Sequence, residues 1–163
     1  MKKEKIEIEF TVYASSDELQ ENDKALLVKA REVTNMAYAP YSNFQVAAVA
    51  KLTNGEFVAG TNQENASTPA GLCAERVMLA SASMLHPNIP IDTIAISYNN
   101  LKGTSCEPTT PCGICRQSLQ EHEDRLHRPI RLVLGGLEGS VFVFEKSTSL
   151  LPLAFNGKEL KRS

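Results

Sequence analysis

Near the start of the chain Ile6, Ile8, Phe10 and Val12 alternate with polar residues, the two-residue period of a half-buried strand. Ser15-Ser16-Asp17-Glu18 supplies the acidic and hydroxyl side chains that begin helices, and Leu26, Ala30, Val33 and Ala37 follow at helical spacing. That helix must end before Pro40, which forces the preceding residue into extended backbone, so Ala39-Pro40-Tyr41-Ser42-Asn43 reads as a loop. Phe44 to Leu52 and Glu56 to Thr61 flank Asn54-Gly55, a pair that tolerates positive φ and predicts a hairpin. A second helix is expected from near Gly71 to about Leu85, with Cys73, Val77, Ala80 and Met84 along one side. Ile91 to Tyr98 predicts a strand, and a third helix begins near Pro111 and ends before Pro129. Ile130 to Leu134 and Val141 to Phe144 predict two further strands joined by a Gly-rich turn, after which Ser147-Thr148-Ser149 caps a short terminal helix. Helices alternating with strands imply an α/β layered domain, and the hairpin makes its sheet mixed.

A chain of 163 residues suits a single domain, 1–163, built on one core. The formal charge is −2, and Lys2-Lys3-Glu4-Lys5 is the only short basic run. Phosphate contacts supply most of the affinity of nucleic-acid binders, so the missing basic footprint argues against a nucleic-acid partner. No apolar stretch follows the first lysines as in a secretory signal, and none approaches the roughly 18 residues that cross a bilayer. A cytoplasmic protein without a membrane partner is expected. In that compartment Cys73, Cys106, Cys112 and Cys115 read as metal ligands or redox thiols in preference to disulfides.

Two segments carry the chemistry, Cys73-Ala74-Glu75-Arg76 and Pro111-Cys112-Gly113-Ile114-Cys115-Arg116-Gln117. With Thr110 as N-cap and Pro111 as first helical residue, Cys112 and Cys115 stand three apart on one side of a helix start. A helix N-terminus favours the thiolate, the form that binds metal. Taken alone, this C-x-x-C fits a metal site, a redox pair or two core thiols equally well. Cys73 adds a third thiol at another helix start. Helix positions two apart do not share a face, so Cys73 and Glu75 can serve one metal only if the helix begins late, near Gly71 or Leu72. Three thiolates with one open position form a zinc site that keeps a water, and Glu75 is placed to move that water's proton. A first-turn glutamate that only stabilises the helix dipole is the plainer alternative. Zinc with three thiolates carries a net −1, which makes a coordinated water less acidic. Two helix N-termini would offset part of that, and Arg76 would offset more by donating to a thiolate; its alternative is an exposed ion pair of little worth. Cys106 is expected to be a buried, inert thiol, and His86, His122 and His127 form no ligand spacing with the cysteines.

Cys73-Ala74-Glu75 followed by Pro111-Cys112-x-x-Cys115 resembles the zinc-dependent cytidine deaminase superfamily, whose signature is a His or Cys two residues before Glu, then P-C-x-x-C. The likeness is strongest to the small homotetrameric members that act on free nucleosides. It extends from about Tyr38 to Phe155 and includes Ala39-Pro40-Tyr41-Ser42-Asn43-Phe44, Asn62-Gln63-Glu64-Asn65-Ala66 and Leu150-Leu151-Pro152-Leu153-Ala154-Phe155. The resemblance implies a three-layer α/β fold with a central mixed sheet of about five strands flanked by helices and a catalytic domain over 17–155; the extra N-terminal strand, over 1–14, extends beyond the family's usual start. It implies that Cys73, Cys112 and Cys115 bind Zn²⁺ and that Glu75 shuttles protons. Substrate would be bound by Phe44, Asn62, Gln63, Glu64, Ala74 and Phe155, with Asn62 and Glu64 on the ribose hydroxyls and Phe155 reaching into a neighbouring subunit. On residue type alone, Asn62 and Glu64 read equally as solvated hairpin-edge residues, and Phe44 and Phe155 as core. Thr68 stands where the family usually has Tyr, and Ala47 where it usually has Gly.

The implied reaction is hydrolysis at C4 of cytosine, converting cytidine and deoxycytidine to uridine and deoxyuridine with release of ammonia in pyrimidine salvage. A blasticidin-type or modified-nucleoside deaminase is an alternative within the superfamily. A structural zinc-binding protein is the alternative outside it, but no fourth ligand of suitable spacing is evident and such a site has no use for Glu75.

Overall fold

A computed structural model of the protein describes residues 1–157 and 160. Its regular elements are β1 (Thr11–Tyr13), α1 (Glu21–Val33), β2 (Phe44–Leu52), β3 (Phe57–Thr61), α2 (Ala74–Leu85), β4 (Ile91–Asn100), α3 (Gly113–Leu126), β5 (Arg131–Gly135) and β6 (Val141–Phe144). The strands form one sheet in the order β1-β6-β5-β4-β2-β3. Only β4 and β5 run parallel; the other neighbours are antiparallel. This is the expected mixed sheet with an added N-terminal strand.

Strand periodicity divides the core into two layers. Val49, Ala95, Val133, Val141 and Val143 face Leu26, Leu27 and Ala30 of α1. Their strand neighbours Ala48, Ala50, Ile94, Ile96, Leu132, Leu134 and Phe144 face the opposite layer, with Met78 and Ala82 of α2 and Leu119 of α3. Branched and aromatic side chains thus fill both sides of the sheet, and α2 and α3 share one of them.

That shared side positions the chemistry. Gly60 of β3 lies directly under α2: a Cβ there would stand 2.3 Å from the Met78 nitrogen and 2.6 Å from the Ala74 carbonyl oxygen. The missing side chain lets the helix backbone rest on the strand and sets the height of the helix mouth. The Asn54-Gly55 hairpin forms as expected, with Gly55 at φ +90°.

Several element boundaries differ from the sequence reading. Strand β1 covers three residues, and Ile6, Ile8 and Phe10 precede it, exposed. The reason lies in its partner: Thr11 pairs with Val143 and β6 ends at Phe144, so earlier residues run past the end of the ladder. Ser15 caps a 3-10 turn, Ser16–Glu18, and α1 begins only at Glu21. A second 3-10 turn, Thr34–Met36, follows α1, which leaves Ala37 in extended backbone. The inward face of α2 is Ala74, Glu75, Met78, Leu79 and Ala82, while Ala80 and Met84 face out. In α3 the N-cap is Cys112 and not Thr110, and Gly113 is the first helical residue. The C-terminal turn, Ser147–Leu150, is 3-10.

Candidate metal centre and its cavity

Cys73 is the N-cap of α2, its backbone extended at φ −74° and ψ 152°. Thr68–Ala70 form a separate 3-10 turn with Pro69 inside it, so the helix proper starts late. Cys73 and Glu75 therefore both lie in the helix mouth, as their spacing required. Gln63 steadies the approach: it exchanges two backbone hydrogen bonds with Leu72, each 2.9 Å, tying the end of β3 to the residue before Cys73. Cys112 is likewise the N-cap of α3, and Cys115 sits one turn further in, fully buried.

The two helix mouths bring the thiols together. The Cys73 and Cys112 sulfurs are 3.7 Å apart and those of Cys112 and Cys115 3.5 Å, with all three inside a 4.8 Å circle. Tetrahedral zinc with Zn–S of about 2.3 Å requires sulfur separations of about 3.8 Å. The cluster fits that ion with little adjustment, and the distances are too long for a disulfide. Among the described residues, these three cysteines are the only metal-ligating group of this kind, so one tetrahedral position is left for a non-protein ligand.

Burial pushes the Cys73 and Cys115 thiols up, and neighbouring charge adds to the rise. At Cys112 burial acts in the same direction but is outweighed by the amides of Cys115 and Ile114 and by the adjoining thiols, leaving it below its usual value. Three crowded thiols beside a carboxyl are stable as thiolates when a cation lies among them, which is the demand a zinc ion meets.

Glu75 is buried, 5% exposed, at the second position of α2. Burial raises its pKa, partly opposed by its own amide and the Cys115 thiol. A carboxyl held in this way keeps a proton more readily than a surface glutamate and can return it.

The cluster opens into a cavity of about 750 Å³, within the size range of small-molecule sites. Its lining includes Cys73, Ala74, Glu75 and Cys112 together with Asn62, Gln63, Glu64, Tyr41, Ser42, Thr68 and Thr110. Asn62 donates to the Phe44 carbonyl at 2.9 Å and accepts from the Val46 amide at 2.7 Å, extending the β2–β3 pairing by one side chain. Gln63 donates to the Thr61 hydroxyl at 2.9 Å. Glu64 accepts from the amides of Tyr41 at 2.8 Å and Ser42 at 3.3 Å. The Ser42 hydroxyl, followed by these amides, holds its carboxyl below the usual range despite a small opposing effect of burial.

Three expected site residues stand apart. Phe44 stacks on Tyr98, ring centroids 4.7 Å apart, and does not line the cavity. Phe155 is 61% exposed outside the cavity, its carbonyl accepting from Gln117 at 2.9 Å. Arg76 forms no side-chain hydrogen bond with a cysteine sulfur among the described residues. A different arginine braces the centre: Arg116 donates to the carbonyls of Pro111 at 2.8 Å and Leu150 at 3.0 Å and to the Thr110 hydroxyl at 3.2 Å. It ties the loop before Cys112 to the C-terminal turn. Its place directly after Cys115 was the signal in the sequence, but its partner Leu150 is distant in the chain and invisible there. Tyr41 and Ser42 lay in a segment read as a loop and as part of the family likeness, with no role given to either.

A three-layer α/β sandwich that gathers three thiols and a buried carboxyl at two helix mouths is the architecture of the zinc-dependent deaminases. Residues 20–126 match the family described as the cytidine and deoxycytidylate deaminase zinc-binding region, and the chain belongs to that family. It is 34% identical over 139 residues to the cytidine deaminase of Halalkalibacterium halodurans, covering 85% of this chain and 98% of the relative. A cytidine deaminase of Mycoplasma pneumoniae is 39% identical over 93 residues, 57% of this chain and 66% of the relative. The crystal structure of cytidine deaminase from Burkholderia pseudomallei superposes with a TM-score of 0.71 at 34% identity, over 84% of this chain and 100% of that one.

Proposed function

We propose that this chain hydrolyses the 4-amino group of free cytidine and deoxycytidine, releasing ammonia and leaving uridine and deoxyuridine. The observation that carries the reading is the placement of buried Glu75 beside the three-sulfur cluster, in a cavity that Asn62 and Glu64 also line.

When bound by Cys73, Cys112 and Cys115, zinc supplies the Lewis acidity that lets a water lose a proton near neutral pH. Glu75 takes that proton and passes it to ring N3 as the water oxygen bonds to C4. The same carboxyl then carries the second proton to the exocyclic nitrogen, the C4–N bond breaks, and ammonia leaves. Ala74, fully buried and lining the cavity beside Glu75, offers its backbone to the base. Glu64 is an ionised acceptor in the cavity lining, suited to a sugar hydroxyl. Phe44 acts on the site indirectly, through the carbonyl that Asn62 binds.

The site residues fall within one catalytic domain, 17–155. The expected assembly is a homotetramer in the cytoplasm, serving pyrimidine salvage, with Phe155 covering a neighbour's cavity. Leu153 at 92% and Phe155 at 61% exposure support this, since apolar side chains so placed gain from burial against another subunit. No helix among the described residues is long and apolar enough to cross a membrane.

Steady-state kinetics on cytidine, deoxycytidine, cytosine, deoxycytidylate, adenosine and a cytosine-containing oligonucleotide tests the reading. Turnover of the two cytosine nucleosides well above the others is expected. Preference for the oligonucleotide or for adenosine would replace it.

A further inference from the structure

The first ten residues precede both β1 and the family match, which begins at residue 20, and the zinc chemistry makes no use of them. They are nevertheless patterned as a strand. Ile6, Ile8, Phe10 and Val12 alternate and are 55%, 47%, 42% and 57% exposed. Phe10 rests on the sheet, its ring centroid 5.1 Å from that of Phe142 and 4.9 Å from that of Phe144. Lys2 pairs with Glu4, and Lys5 with Glu7, contacts between positions two apart that belong to extended backbone. Strand β1 is the edge of the sheet, and residues 3–9 lie beyond its ladder with no strand partner among the described residues, so their backbone is open to another strand.

The charges say which strand. Laid antiparallel against a second copy and centred on Ile6, the segment places Lys3 opposite Glu9 and Lys5 opposite Glu7, each twice by symmetry. Ile6 then meets Ile6 at the centre of the other face, flanked by Ile8 opposite Glu4 and Phe10 opposite Lys2, with Phe10 next to Phe142. Sliding the register by two residues one way sets Lys5 against Lys5, and the other way Glu7 against Glu7. A slide by one mixes apolar and charged faces. Of these registers only the one centred on Ile6 sets every charge of the odd-numbered face opposite its opposite, and cross-strand pairs of opposite charge stabilise a ladder.

We infer that residues 3–9 form a two-fold antiparallel ladder with the same segment of a second copy of this chain, an interface separate from the catalytic assembly.

Cysteine cross-linking with charge exchange tests it on the full chain. Ile6→Cys, at the symmetry axis, should form an interchain disulfide under mild oxidation, above the wild-type background from the native cysteines. Ile8→Cys should not, because the two copies of position 8 lie too far apart for a disulfide. In the Ile6→Cys background, Lys3→Glu with Lys5→Glu should cut the cross-linking rate about tenfold, as should Glu7→Lys with Glu9→Lys. Mixing the two charge variants restores complementarity and should restore the disulfide. Equal cross-linking at positions 6 and 8, or charge variants that cross-link as fast as the parent, would overturn the ladder. So would a mixture that stays slow. Deamination should be unchanged in all these variants, since none of the altered residues lines the cavity.

Discussion

The cavity holds two glutamates, and their surroundings treat them in opposite ways. Glu75 is buried in the mouth of α2, where loss of water raises its pKa. At Glu64 the Ser42 hydroxyl and the amides of Tyr41 and Ser42 donate to the carboxyl and lower its pKa. The same side chain is made a weaker acid in one place and a stronger acid in the other, which under the proposed function suits a proton carrier and a fixed acceptor. Environment assigns the role, as in enzymes that run acid and base chemistry with two carboxyls. Position in the chain marks Glu75 as the neighbour of Cys73, but the opposite shifts in acidity arise only when the fold buries one carboxyl and not the other.

The largest test removes the thiols beside Glu75. Cys115→Ala should release zinc and abolish measurable deamination together, and metal analysis beside an activity assay checks both. Full zinc retention in this variant, and likewise in Cys73→Ala and Cys112→Ala, would remove the cysteines from the metal site. Next in size, Glu75→Gln should keep fold and zinc and lose about 10⁴-fold in kcat, the upper end for general acid–base catalysis, because an amide cannot carry the proton. Activity within about tenfold of the parent would show that the buried carboxyl is not the carrier.

At Glu64 the effect should be smaller and of another kind. Glu64→Gln weakens an ionised acceptor but leaves the chemistry intact, so KM should rise about tenfold while kcat falls less than about threefold. A loss confined to kcat would erase the division between the two glutamates.

The smallest effect carries the same desolvation logic to a base outside the cavity. Burial, with Arg125 close by, lowers the pKa of His122 to about 4. In the unfolded chain the imidazole would bind its proton near its ordinary value, so between pH 6.5 and 4 the unfolded state holds more protons. Stability should therefore fall as pH drops through that window. Denaturation midpoints should show a shallower fall in His122→Gln than in the parent, and parallel curves would contradict the burial argument.

How much could be read in advance varied with distance along the chain. Cys112 and Cys115 share one helical turn, so their convergence was legible from spacing alone. The Asn54-Gly55 hairpin was legible for the same reason, since the turn chemistry is carried by two adjacent residues. The inner face of α2 was misread. Its apolar residues run nearly all around the helix, and the side that turns inward is decided by where Gly60 lets the helix rest. Arg116 went unnoticed because its carbonyl partners include Leu150, distant in the chain.

By itself, then, the sequence determined the strand and helix periods, the late start of α2 and the presence of three thiols and a carboxyl in helix-start segments. Those are properties of short stretches, set by torsional preference and side-chain spacing. Only the tertiary structure decided that Cys73 would meet Cys112 at 3.7 Å, because that contact depends on α2 and α3 packing on the same side of one sheet. It also decided which glutamate would be dry, since desolvation is a property of everything packed around a group and not of the group itself.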